Sequence, residues 1–167
     1  MKKSKLMLIF MAGNDHTVNL RTIDGVTKQS CLSDIRFVIC NDAKNYFKCE
    51  ATVDALRNSK KTDSFTQVIL HENETAIGID LSVKQFKNKF ESDFIAVVRP
   101  GEVFEDISAL RSLMIHLEST NSTEIKLGQF CTVYKSEHLG NTRIPEYAKE
   151  SVNVLGILRK VRRLFKK

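Results

Sequence analysis

A mostly parallel α/β sheet is the fold this sequence predicts, and three observations lead to it. Short apolar runs, Lys5–Met11, Phe37–Cys40, Gln67–His71 and Phe94–Val98, alternate with segments of helical periodicity. Glycine and proline are scarce, 7 and 2 among 167 residues, which argues against a turn-rich all-β chain. The first two runs each stop at a small polar cluster, Ala12-Gly13-Asn14-Asp15 and Asn41-Asp42, with one helical stretch between them. That is the pattern of a β-α-β unit. It brings both strand ends to one rim of the sheet, where open α/β sheets bind ligands.

The elements follow in order. Lys2, Lys3 and Lys5 ahead of Leu6–Met11 imitate a secretory leader. The apolar run is short, however, and enters Asn14-Asp15-His16 without the usual small-residue cleavage site, so a first strand accounts for it better. Residues 44–60 carry a weak helical pattern around Val53 and Leu56, and residues 58–64 read as a loop. The third strand ends at Glu72-Asn73-Glu74, where His71 and Glu72 either face a pocket or form a solvated loop pair. Gly78 precedes a helix with Ile79, Val83, Phe86 and Phe90 on its apolar face, at helical spacings. The fourth strand closes at Arg99-Pro100-Gly101-Glu102. A further helix has Ile107, Leu110, Met114 and Leu117 on one side. Residues 119–123 form a polar break, Ile125–Lys135 is an added strand or hairpin, and the chain from Pro145 is helical and turns basic.

The length suits a single domain with its own core. We place that domain at 1–151 and a basic amphipathic helix at 152–167. The net charge of +6 comes from the tail. Residues 152–167 hold six of the 26 Lys and Arg and no acid, which leaves 20 basic against 20 acidic residues in the rest. A nucleic-acid surface over the body is therefore not indicated. Val154, Leu158, Val161 and Phe165 fall on one side of the tail, a pattern that suits either an anionic membrane surface or packing on the domain. Cys31, Cys40, Cys49 and Cys131 form no CxxC pair, so free thiols in a reducing, cytoplasmic compartment are expected rather than a zinc site. The four histidines are scattered, without metal-site spacing.

The motifs in order carry a resemblance. Asn14 follows the first strand, Ile23-Asp24-Gly25-Val26-Thr27-Lys28-Gln29-Ser30 lies in the helix, Asn41-Asp42 ends the second strand, and Glu72-Asn73 and then Gly78 follow the third. Over about residues 4–105 the chain resembles the N-terminal half of family 2 glycosyltransferases. The spacing from Gly78 to Phe94-Ile95 matches theirs. The resemblance implies a Rossmann-like GT-A sheet with helices on both faces, binding a nucleotide-sugar, UDP-linked in the first instance, for transfer to an acceptor in cell-surface polysaccharide or glycoconjugate synthesis. The acceptor would be lipid-linked in a peripheral enzyme on the inner face of the membrane. Nucleic acid is not an expected partner, and the oligomeric state is open.

Carried over by position, Asp42 accepts a hydrogen bond from the base, or else caps a turn. Asn14 closes the base pocket, or caps the first helix. Asn73 and Gly78 stand at the family's Asn-x-Gly. Lys84, in Ser82-Val83-Lys84, takes the place of the family's Ala-Arg-Asn and is either a phosphate contact or a solvated lysine. The family holds Mg²⁺ or Mn²⁺ on the diphosphate with Asp-x-Asp. Here Arg99 and Gly101 occupy those two positions, and Glu102, one residue later, is the nearby carboxylate, either a metal ligand or a surface residue. Arg99 is either a phosphate partner or a solvated rim charge. Beyond this motif the chain is short against the family, and Glu137, Glu146 and Glu150 are candidate bases only by default. Two functions therefore stand: a glycosyltransferase-like domain, or a non-catalytic relic of that fold acting as partner subunit or membrane-surface module. A receiver-like or flavodoxin-like domain suits the alternation but lacks the acidic cluster of the first and the phosphate loop of the second.

Overall fold

The computed structural model describes residues 3–42, 56, 62–140 and 142–144. The helical patterns expected at 44–60 and 152–167, apart from the single helical residue Leu56, lie outside the described residues, as do Cys49, Glu146 and Glu150.

A six-stranded sheet has the order β3-β2-β1-β4-β6-β5. Its strands are β1 (Ser4–Met11), β2 (Ile35–Asn41), β3 (Gln67–Glu72), β4 (Ser92–Val98), β5 (Glu124–Leu127) and β6 (Cys131–Lys135). β1 pairs in parallel with β2 on one side and β4 on the other, with Leu8 opposite both Phe37 and Ala96. β2 pairs in parallel with β3. The stretch expected as an added strand or hairpin is a hairpin, β5 and β6, whose second strand runs antiparallel to β4. Gly128 at φ +62 makes its turn.

Among the described residues three helices cover the sheet: α1 (His16–Thr27), α2 (Ile79–Lys89) and α3 (Ala109–Ser119). The central strands are apolar along nearly their whole length because both faces are buried. Leu6, Leu8, Phe10, Phe37, Ile39, Phe94, Ala96 and Val98 pack with α1 and α3. Met7, Ile9, Val38, Cys40, Ile95 and Val97 pack with α2. On α2 the expected face is the buried one: Ile79, Val83, Phe86 and the following Phe90. Burying Phe86 and Val83 contributes about 1.5–3 kcal/mol each. The face expected for α3 is right from Leu110 onward. Ile107, however, lies before the first turn and is 61% exposed. Its carbonyl accepts from the Ser30 amide instead.

Polar side chains tie the elements together. Gln29, buried just after α1, donates from Nε2 to the Asp106 carbonyl at 3.0 Å and accepts at Oε1 from the Leu110 amide at 3.1 Å. It thereby satisfies an orphan donor in the first turn of α3. Arg36, 1% exposed at the amino end of β2, donates to Gln67 Oε1 and to the Glu91 carbonyl and lies over the Phe90 ring. This ties the amino ends of β2, β3 and β4 together. Cys31, Cys40 and Cys131 are buried thiols outside any disulfide, and burial pushes the Cys31 thiol up to about 11.

Gln29→Ala leaves the buried Leu110 amide without its acceptor, while the Asp106 carbonyl keeps the Ala109 amide. It should lower unfolding stability by about 2 kcal/mol, read as a shift of the urea midpoint with unchanged slope.

Candidate functional site

The carboxyl ends of β1, β2, β3 and β4 share one rim, and β1 lies between the strands that lead off in opposite directions. This is the switch point at which open α/β sheets form a ligand crevice.

Asp42 follows β2 directly and organises the β3–α2 loop. Its Oδ1 accepts from Asn73 Nδ2 at 2.8 Å and from the Ile77 amide at 3.1 Å, and its Oδ2 accepts from the Gly78 amide at 2.8 Å. The N-cap residue of α2 is Gly78, which has no side chain to bond the helix end. A carboxylate from another strand bonds its amide and the one before it. Gly78 sits at φ +83, a conformation that disfavours residues with a Cβ. Asn73 is buried, and its Nδ2 also reaches Ser82 Oγ at 3.2 Å. Since Nδ2 donates to Asp42, Asn73 Oδ1 is the acceptor and His71 Nε2, 2.8 Å away, carries the proton. His71 also meets the edge of Phe86. Asp42, Asn73 and Gly78, three residues singled out from sequence, thus form one cluster, joined by His71 and Ser82.

The β1–α1 and β4–α3 loops are fastened by α1. Asn19, fully buried, accepts at Oδ1 from the Gly13 amide at 3.0 Å and donates from Nδ2 to the Gly13 carbonyl at 2.8 Å. Thr22 Oγ1 accepts from the Gly101 amide at 3.0 Å. A Cβ on Gly13 would stand 2.9 Å from Pro100 Cγ, so the two loops meet at that glycine. Asn14 is exposed on this loop, and the N-cap is its neighbour Asp15, whose Oδ1 accepts from the Thr17 and Val18 amides.

Arg99 and Glu102 follow β4 but serve different neighbours. Arg99 is half-buried, and burial holds its guanidinium below the ordinary arginine value while leaving it a cation. Its amide donates to the Phe130 carbonyl. Glu102 is 6% exposed. Its Oε2 accepts from the Phe130 amide at 3.0 Å, and a Cβ on Gly128 would stand 2.8 Å from its Oε1. The carboxylate is therefore closed against the hairpin turn, and burial pushes its carboxyl up to about 7, the amide bond opposing. The resemblance implies a divalent cation here, and the donor set among the described residues does not fit one. Among the described residues no group of three His, Cys, Asp or Glu is placed to hold a metal ion, and the carboxylate nearest the Asp-x-Asp position is bonded to backbone.

Lys84 stands apart from the cluster. It pairs with Asp80 at 2.8 Å, one helical turn away, and Asp80 Oδ1 accepts from the Ile144 amide at 3.0 Å. Burial works to raise the Asp80 carboxyl, but that amide and Lys84 outweigh it and hold it below the ordinary value. Glu137 lines a shallow cavity with Lys3 and Ser92 at the amino end of β4, the opposite edge from the rim. Asn19, Thr22 and Ser82 were missed from sequence. Their only signal was a polar residue at a position facing the sheet.

No protein-family model matches the sequence, and no curated protein matches it significantly. Solved structures do match in shape. The mannosyltransferase PcManGT from Pyrobaculum calidifontis, in complex with GDP-Man and Mn²⁺, has a TM-score of 0.67 at 11% identity over 87% of this chain and 48% of its own. S. aureus TarS 1-349 in complex with UDP has 0.65 at 13% identity over 85% of this chain and 50% of its own. The complex of TarS 1-349 with UDP-GlcNAc has 0.57 at 14% identity, over 84% of this chain and 37% of its own. At such identities the likeness establishes the fold, a mostly parallel, Rossmann-like GT-A sheet of the glycosyltransferase kind with helices on both faces. The chain spans about half the length of the first two of these structures. Among the described residues no helix is long and apolar enough to cross a membrane.

The raised Glu102 carboxyl gives a test with a definite sign. The folded chain binds this proton more tightly than the unfolded chain does. Stability therefore falls as pH rises from about 4.5 to about 7 and is level above that. Glu102→Gln keeps an acceptor for the Phe130 amide without the charge. It should remove the slope and add about 3 kcal/mol near pH 8, measured by denaturant unfolding across pH.

Proposed function

We propose that this chain is a nucleotide-sugar-binding domain of the family 2 glycosyltransferase type, and that it takes a UDP-linked sugar at the carboxyl rim of β1, β2 and β4. The observation that carries this reading is the Asp42 cluster at the sheet's switch point. Each carboxylate oxygen has two lone pairs. Oδ2 accepts one bond, from Gly78, and keeps capacity for a base N–H. Asn73 and Gly78 shape the wall of the base pocket, Asn14 closes it from the β1–α1 loop, and Arg99 contributes positive charge for the diphosphate. PcManGT and TarS, which share the fold, are seen with GDP-Man, UDP and UDP-GlcNAc, and this supports a nucleotide-sugar as the donor class. Lys84 is left out of this site because Asp80 holds it.

In the reaction, the bond from the sugar's anomeric carbon to the diphosphate breaks and one to an acceptor oxygen forms, with UDP leaving. We assign this chemistry to polysaccharide or glycoconjugate synthesis with a lipid-linked acceptor, on the cytoplasmic face of a membrane that the 152–167 segment touches. Its six cations and one-sided apolar residues support that placement. Arg99 and Gly101 in place of two carboxylates favour a second reading, a relic that binds the donor without turnover and acts as a partner subunit.

Calorimetric titration of the folded chain with UDP should give a one-to-one isotherm, and Asp42→Ala should weaken it by at least about tenfold. Absence of heat with every nucleoside diphosphate, from a chain shown folded by circular dichroism, would end both readings. Release of UDP from a UDP-sugar separates the enzyme from the relic.

A further inference from the structure

We infer that His71 is a positioning residue for the donor base: through Asn73 it turns the Asp42 carboxylate so that Oδ2, and not Oδ1, takes the base N–H. The inference rests on the reading that this rim binds a nucleotide-sugar. It follows from the direction of the hydrogen bonds that meet at Asn73.

The direction is fixed from the carboxylate end. A carboxylate only accepts, so the Asn73 atom 2.8 Å from Asp42 Oδ1 is the amide nitrogen. The same nitrogen lies 3.2 Å from Ser82 Oγ, which can accept. The amide oxygen therefore faces His71 Nε2 at 2.8 Å, and that ring nitrogen carries the proton between them. Turning the amide over would set its oxygen against the carboxylate and its NH₂ group against the ring N–H. His71 as an Nε2 donor thus permits one orientation of Asn73. The ring is itself held in place, since His71 lies opposite Cys40 of β2 in the sheet and meets Phe86 of α2 edge-on at 5.0 Å.

The consequence lies at the two carboxylate oxygens of Asp42. Oδ1 takes Asn73 Nδ2 and the Ile77 amide, which fill its two lone pairs. Oδ2 takes the Gly78 amide and keeps a lone pair for a ligand. Asn73 is 8% exposed, so its oxygen depends on the His71 N–H rather than on bulk water. A buried acceptor left without its donor is costly, and the amide would turn to recover one. Asp42 Oδ1 would then lose a donor, and the two oxygens would no longer differ in what they offer a base.

The test is calorimetric titration of the full chain and its His71 variants with UDP. His71→Ala should weaken binding about fivefold. His71→Gln carries its amide nitrogen as far from the backbone as the ring Nε2, and should bind within about twofold of wild type. His71→Asn, one carbon shorter, should be weakened like the alanine variant. That order follows the N–H that Asn73 receives, whereas lost packing on Phe86 alone would not separate Gln from Asn. Nitrogen NMR shifts of the neutral imidazole should place its proton on Nε2. Should His71→Ala fail to fold, the Gln and Asn pair decides. Wild-type affinity in His71→Ala, equal losses in the Gln and Asn variants, or a proton on Nδ1 overturns the inference and leaves the nucleotide-sugar reading intact. Absence of UDP binding by the wild-type chain removes that reading and the inference with it.

Discussion

The bonds from the Asp42 carboxylate to the Ile77 and Gly78 amides are the constraint on which the site depends. They join the end of β2 to the start of α2 and set where the intervening loop runs. Gly78 cannot cap its own helix, and a residue with a Cβ would be strained at its positive φ. An anion from another strand and a glycine at the helix start are thus one arrangement, made by residues 36 positions apart. Asn73 completes it by bonding Asp42 and Ser82 with one end and His71 with the other. Buried networks of this kind specify geometry because each member is costly to leave unmatched.

The rim shows the same principle beyond Asp42. Asn19 holds both polar groups of the Gly13 backbone, Thr22 holds the Gly101 amide, and Glu102 holds the Phe130 amide. Loops at the ends of parallel strands carry backbone groups that the sheet cannot satisfy. Here side chains from helices and neighbouring loops satisfy them, and the crevice takes its shape from those bonds.

Much of the fold was legible in the sequence because apolar patterning follows burial directly. Three strands buried on both faces, β1, β2 and β4, read as continuous apolar runs, and α2 showed its face at Ile79, Val83, Phe86 and Phe90. Asp42, Asn73 and Gly78 stood out because small polar residues and glycine after a strand are local signals. Failures came where the partner is distant in sequence. Ile107 has the period of the α3 face but falls before the helix begins. Asn19, Thr22 and Gln29 are polar residues buried against the sheet, and no periodicity distinguishes such a residue from a solvated one.

The most direct measurement of the central claim is an experimental structure of the chain soaked with UDP. The account predicts the uracil against Asp42 and the Asn73–Gly78 loop, with the diphosphate running toward Arg99 at the end of β4. UDP seated elsewhere, such as in the cavity at the amino end of β4, or a rim in which the Asp42 carboxylate has left the Ile77 and Gly78 amides, would contradict it.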